Sequence, residues 1–285
     1  MNKDPRRKAA NGVLQDHIVI CNWNDLGEEI VHQLHASVVR NKRAIVIITD
    51  QPEDIPRAEF KGEDDPFHDV FVIPGDPARD KILARASIAK ANTAIVLSDP
   101  REGEYADTKS VLIALAIESI EPKVHTIVEL LHSRSKIHFR HTHVDEVVCV
   151  DELTEKLLAQ ASLTHGLSEF YMRLLTATED TNEVYLVDVP KSFVGKTYRQ
   201  LEKALVDYEE EDVVLVGIQT KTPRRKGDAV GDAMSIDVPQ LTINPPAKKH
   251  LPKGSPLKDR DYVLEEHDKI FVIAYNCPTL KSLKA

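Results

Sequence analysis

"HIVICNWNDLGEEIV", residues 17–31, decides the fold. His17 to Cys21 is a short, almost uniformly apolar run, the pattern of a strand buried on both faces. From Leu26 the apolar positions recur at Ile30, Val31 and Leu34, a helical stripe. A buried strand passing through a turn into a helix opens a dinucleotide-binding unit, whose fingerprint is G-x-G-x-x-G. Here those positions read Asn22, Asn24 and Gly27, so only the third glycine is present. Asn tolerates left-handed backbone better than other side chains, and Asn22 is expected to make the turn of the first glycine. Asn24 carries a Cβ where the second glycine lets pyrophosphate approach the main chain, which keeps phosphate farther off. Gly27 still permits close helix–strand packing.

Outward from this stretch the pattern repeats. HIVIC (17–21), RAIVIIT (43–49), DVFVIP (69–74), TAIVLS (93–98), VHTIVEL (124–130) and DEVVCV (145–150) alternate with amphipathic segments, one striped by Thr108, Val111, Leu112, Leu115 and Ala116. The fold class is therefore α/β, a Rossmann-type doubly wound parallel sheet of six strands over residues 16–150. Residues 151–181 read as a crossover helix pair, roughly 151–165 and 167–178, broken at Gly166. Its apolar positions, Leu153, Leu157, Leu158, Ala161, Leu167, Phe170, Tyr171, Leu174 and Leu175, have little left of their own domain to pack on and suit another subunit or the next domain. Residues 182–285 form a small α+β lobe with long polar connections at 221–239 and 247–262. Residues 1–15 are a basic lead-in carrying Lys3, Arg6, Arg7 and Lys8, which reads as a disordered tail or as the residues that follow a membrane span on its cytoplasmic side.

The formal net charge of −9 argues against a nucleic-acid surface. No apolar run approaches the ~20 residues that span a bilayer, and no secretory signal pattern is present. Cys21, Cys149 and Cys277 form no C-x-x-C pair and read as buried free thiols in a reducing cytoplasm.

The candidate cofactor residues follow from the fold. Asn22, Trp23, Asn24 and Gly27 form the turn. Asp50 ends the second strand 23 residues past Gly27, where a carboxylate takes ribose hydroxyls. Gly75 and Asp76 end the third strand and suit an adenine pocket, and Ser98 ends the fourth beside the switch-point cleft. NAD or an adenine nucleotide is the ligand this pattern points to; the alternative is a turn kept only as scaffold, with Asp50 capping the next turn. The run Glu209, Glu210, Glu211 and Asp212 offers oxygen ligands for Ca²⁺ or reads as a solvated turn, and Gly62–Asp65 is a weaker case of the same kind. His138, His141 and His143 with Asp145 have spacing compatible with zinc, or form a solvated loop. Gly195-Lys196-Thr197 is no P-loop, because Pro190 stands where its first glycine is required. There is no G-x-S-x-G, H-E-x-x-H or C-x-x-C, so no catalytic constellation is expected.

Five stretches together resemble the regulator of K⁺ conductance domain, RCK or KTN: "HIVICNWNDLG", "FVIPGDPARDKILARASIAKANTAIVLSD", "TIVELLHSR", "VDEVVCVDELTEKLLAQA" and "VPKSFVGKTYRQLE". The resemblance implies a cytosolic, ligand-sensing module of a K⁺ channel, assembled through its crossover helices into a tetramer or octameric ring, in which ligand binding changes the geometry between lobes and pulls on the pore. A stand-alone regulatory subunit of a Trk/Ktr-type K⁺ transporter is the alternative within the family, and an NAD(P)-dependent oxidoreductase the alternative outside it. In calcium-gated members, carboxylates at the end of the fourth strand and just after the fifth bind Ca²⁺; the matching positions here read Ser98, Glu129 and Leu131. Insertions at 56–68 and 221–239 also depart from the family pattern.

Overall fold

A computed structural model describes residues 14–36, 39, 42–58, 65–139, 142, 144–176, 178, 181–220, 240–252, 255 and 257–284. Lys3–Lys8, Gly62–Asp64, His141, His143 and the 221–239 connection lie outside the described residues. Contacts divide the chain into two compact units, 1–168 and 169–285.

The first unit is built on six parallel strands: β1 (Ile18–Cys21), β2 (Ile45–Thr49), β3 (Val70–Pro74), β4 (Thr93–Val96), β5 (His125–Leu130) and β6 (Glu146–Cys149). Their order is β3-β2-β1-β4-β5-β6. The chain reverses direction across the sheet between β1 and β4, which opens a crevice at the carboxyl ends of those strands. Every residue of β1 and β2 is buried, because the sheet is covered on both sides. Val19, Cys21, Val46 and Ile48 face Leu83 of α2 (Asp80–Arg85) and Ile113, Ala114 and Ile117 of α3 (Ala106–Ile120). Ile18, Ile20, Ile45 and Ile47 pack on the other side with Trp23, Phe67 and Val31 of α1 (Gly27–Leu34). Burial drives the Cys21 thiol up to about 12, so it behaves as a small hydrophobe; Cys149 is buried too, but Cys277, beyond the last strand, is exposed, against the expectation of three buried thiols.

The stripe expected on α3 holds only in part: Val111 and Ala116 pack at the edge of the core. Ala106, Ser110, Ile113, Ala114 and Ile117 face the core, while Leu112 and Leu115 are exposed. The helix is apolar on more than one side, so periodicity alone did not select the face; the small Ala106, Ser110 and Ala114 allow closer approach to the sheet.

Helices α4 (Val150–Leu163) and α5 (Leu167–Leu175) follow, separated at Gly166, whose φ of 83° suits glycine. Neither contains a buried residue, and Leu158, Leu163 and Leu175 are each more than 65% exposed.

The second unit is an antiparallel sheet of β7 (Glu183–Asp188), β8 (Val213–Thr220), β9 (Gln240–Ile243) and β10 (Lys269–Ala274), in the order β7-β10-β8-β9. Tyr185, Val187, Ile218, Ile270 and Val272 pack with Tyr198, Leu201 and Leu205 of α6 (Tyr198–Val206). The Gly195-Lys196-Thr197 string is explained here: Thr197 caps α6 in a reciprocal capping box with Gln200.

Candidate functional site

The turn after β1 is left-handed at Asn22, with φ 67°, and its Nδ2 donates to the Leu97 carbonyl across the crevice at 3.0 Å. The side chain thus supplies a hydrogen bond that glycine lacks. Asn24 has a different task from the glycine it replaces. Its Oδ1 accepts the Leu26 N–H at 3.0 Å and its carbonyl accepts the Gly27 N–H at 2.9 Å. Two amides at the start of α1, the kind that a phosphate takes in an intact fingerprint, are thereby occupied. The exposed carboxylates of Asp25, Glu28 and Glu29 already complement the positive end of that helix.

Trp23 was grouped with the cofactor residues by position, but the fold places it in the core beside Ile20, Val31 and Phe67, only 9% exposed. Gly27 is required beneath it: a Cβ there would lie 2.6 Å from the indole ring. Gly75 has φ 146°, and its missing Cβ leaves room for Ile82. Asp76 accepts the Ala78 N–H and pairs at 3.7 Å with Arg79, so its carboxylate organises its own turn.

The crevice itself is polar and mostly internally paired. Asn24 Nδ2 donates to the Ser98 carbonyl at 2.8 Å and to Glu129 Oε2 at 3.1 Å, and the Ser98 N–H donates to the same oxygen at 2.8 Å. Both partners of Nδ2 are acceptors, which fixes the orientation of the Asn24 amide. Ser98 Oγ is fully buried and meets no partner among the described residues. Glu129, a 7%-exposed carboxylate, is singled out by the sequence only as a position matching the family's calcium ligands and not as a cofactor residue; the signal available was a glutamate among the apolar residues Ile127, Val128 and Leu130 of β5.

Arg101 is absent from the sequence-based candidates. Its Nε and Nη2 fork onto the two oxygens of Asp99 at 2.8 and 2.9 Å, and Nη2 also reaches Asp50 Oδ1 at 3.3 Å. Asp99 follows β4 and Asp50 follows β2, with β1 between them, so the guanidinium crosses the mouth of the crevice. Lys109 anchors the same segment through Glu102 at 2.6 Å. Burial alone raises the Asp99 carboxyl, but the Arg101 hydrogen bonds and the Arg101 and Lys109 charges outweigh it and hold the group below its ordinary value. A carboxylate depressed in the folded state contributes stability that is complete above its unfolded value of about 3.9 and is lost as pH falls through the lower folded value. Asp99→Asn is accordingly expected to be less stable than wild type at pH 7, with the gap closing below about pH 4. Denaturant titrations at both pH values measure this, and a gap of constant size would count against the Asp99–Arg101 pair.

The acidic run before β8 holds the C-terminal segment. Glu211 accepts the Thr279 and Leu280 N–H groups at 3.1 and 3.2 Å, and Glu210 accepts from Ser282. Among the described residues no group of three His, Cys, Asp or Glu side chains is arranged to hold a metal, so Glu209–Asp212 are adjacent in sequence without converging. His138 is exposed, and Asp65 accepts the Phe67 N–H at 2.8 Å.

The family model described as "Calcium-activated potassium channel slowpoke-like RCK domain" matches residues 13–128. Residues 13–128, within the first unit, are thus similar to that family of RCK domains. The calcium-gated potassium channel TvoK of Thermoplasma volcanium is 25% identical over 206 residues, which are 71% of this chain and 56% of that protein. The putative potassium channel protein YugO of Bacillus subtilis is 24% identical over 208 residues, 73% of this chain and 59% of that protein. The match thus spans less than two thirds of either relative. The human SLO3 gating ring has the same fold, with a TM-score of 0.59 at 15% identity over 91% of this chain and 44% of that one. Within the first unit, the crevice between β1 and β4 is the site that the fold makes available.

Proposed function

We propose that this chain is a ligand-sensing regulatory module that controls K⁺ flux through a membrane pore. The observation that carries the reading is the match of residues 13–128 to the RCK family model, over a fold whose switch-point crevice is lined by Asn24, Asp50, Ser98 and Glu129. In this reading the chain acts at the cytoplasmic face of a membrane and is regulatory rather than catalytic. No helix among the described residues is long and apolar enough to cross a bilayer, so the pore is a separate segment or a separate protein. A ligand that prefers one geometry of the lobes shifts the population of the assembly, and symmetry adds the small per-site bias over the ring. NAD, an adenine nucleotide or Ca²⁺ is the ligand class, the last supported by the name of the Thermoplasma relative.

The deciding measurement is thermal unfolding of the purified chain with NAD⁺, NADH, ATP, ADP and Ca²⁺ in parallel. A ligand at 100 times its Kd adds about 2.7 kcal/mol to the stability of the state that binds it. A shift with one ligand identifies it; no shift with any of them removes the sensing role.

Self-association through α4 and α5 belongs to the same proposal, because two amphipathic helices without a buried residue leave a large apolar surface uncovered. The chain is expected to sediment as a dimer or a larger ring, and Leu158→Asp with Leu175→Asp is expected to give monomers of unchanged helicity. A wild-type chain that stays monomeric at high concentration would rule the interface out.

A further inference from the structure

We propose that Arg101 is an internal competitor for the ligand crevice: its guanidinium occupies Asp50 in place of the hydroxyls of a ribose, so that a ribose-bearing ligand binds only by displacing that arm. The proposal rests on the ligand-sensing reading above and adds to it a residue and a ligand class.

The two arms of Arg101 are unequal. The Asp99 arm is a two-point fork at 2.8 and 2.9 Å onto a carboxylate whose side chain is only 3% exposed. Charge-assisted forks of this kind are strong and directional. The Asp50 arm is a single 3.3 Å contact between side chains 40% and 56% exposed. Exposed pairs contribute little, because water and salt compete for both charges. Asp99 is therefore the anchor and Asp50 the releasable partner. Position gives the contact its consequence. β1 lies between β2 and β4 in the sheet, so a guanidinium that joins Asp99 after β4 to Asp50 after β2 spans the carboxyl end of the strand between them.

The start of α1 offers phosphate little in compensation, since Asn24 already takes the Leu26 and Gly27 amides. Recognition in this crevice falls on neutral polar groups of the ligand, and Asp50 is the carboxylate at the position where a ribose diol docks. Adenosine is the cleanest probe: it carries the diol and no charge.

The test is calorimetric titration of the full chain with adenosine. Arg101→Met keeps the aliphatic stem and removes the competitor; it is expected to bind about two- to fivefold more tightly than wild type, the size of one exposed ion pair. Asp50→Asn combined with Arg101→Met is expected to lose that gain. A second measurement needs no substitution. Raising the salt concentration screens the Asp50–Arg101 contact, so wild type is expected to bind the uncharged probe more tightly in high salt. Equal or weaker binding by Arg101→Met, together with salt-independent binding by wild type, would overturn the competitor. If adenosine binds neither protein, the ribose assignment and the competitor fall together. In that case a thermal shift with Ca²⁺ would leave the sensing role itself standing.

Discussion

Asp107→Ala is expected to destabilise the first unit by about 2–4 kcal/mol, the largest effect of any single polar substitution near the crevice. Asp107 is 6% exposed and lies in the first turn of α3, but its carboxylate serves the segment that follows β5. Oδ1 accepts the Leu131 N–H at 2.8 Å; Oδ2 accepts the His132 N–H at 3.2 Å and the Ser135 hydroxyl at 2.6 Å. Hydrogen bonds to a charged acceptor are each worth about 1.5–3 kcal/mol, and removing the acceptor leaves donors behind without a partner. The three contacts share one carboxylate, so their losses do not add, and water reaches the exposed His132, which limits the total. Asp107→Asn retains an accepting oxygen and is expected to lose about half as much. Denaturant unfolding gives the magnitudes, while amide exchange at Leu131 and His132 reads the mechanism. A variant within 0.5 kcal/mol of wild type, with both amides still protected, would show that the segment is held by something else. The functional consequence is local: Leu131 directly follows the strand that carries Glu129, so loosening 131–135 loosens one wall of the crevice.

What the sequence made legible, and what it hid, divides along physical lines. Burial on both faces leaves β1 and β2 almost without polar residues, so they stand out in residues such as Ile45–Ile48, and the other four strands are legible from shorter Val- and Ile-rich runs. Asn22 was legible too, because few side chains tolerate a positive φ and asparagine is among them. The face of α3 was legible only in part, at Val111 and Ala116, since Leu112 and Leu115 are as apolar as Ile113 and Ile117, and only the assembled sheet distinguishes them. The polar network of the crevice was hidden for a different reason. Arg101 meets Asp50 across 51 positions, and Asn24 meets Glu129 across 105. Contacts of that separation have no local pattern; they follow from strand order. Sequence adjacency does not report convergence at Glu209–Asp212, where Glu210 and Glu211 serve separate hydrogen bonds to the C-terminal segment.

Gly27→Ala is expected to cost about 1–2 kcal/mol, although alanine is the better helix former at an ordinary site. The added methyl would sit 2.6 Å from Cε3 and Cζ3 of Trp23 and 2.9 Å from Cδ2, closer than any Cβ contact a folded chain sustains. Relief requires the indole to move, and the indole is confined by Ile18, Ile20, Ile47 and Leu97, each less than 10% exposed. Overpacking of this kind typically costs about 1–3 kcal/mol, against which the helix propensity of alanine returns at most about 1. Near that net value the melting temperature of a unit this size moves by roughly 2–4 °C per kcal/mol. The double substitution Gly27→Ala with Trp23→Leu separates steric conflict from backbone strain. Trp23→Leu alone loses buried aromatic surface; combined with Gly27→Ala it is expected to cost less than the sum of the two, because the methyl then fills space that the indole vacates. Strict additivity would mean that Gly27 is needed for the backbone and not for the tryptophan. The difference bears on function because the two residues flank Asn24. If Trp23 is what demands glycine at position 27, this glycine is retained to seat a core side chain beneath the turn, and its presence is no evidence that the turn holds a pyrophosphate.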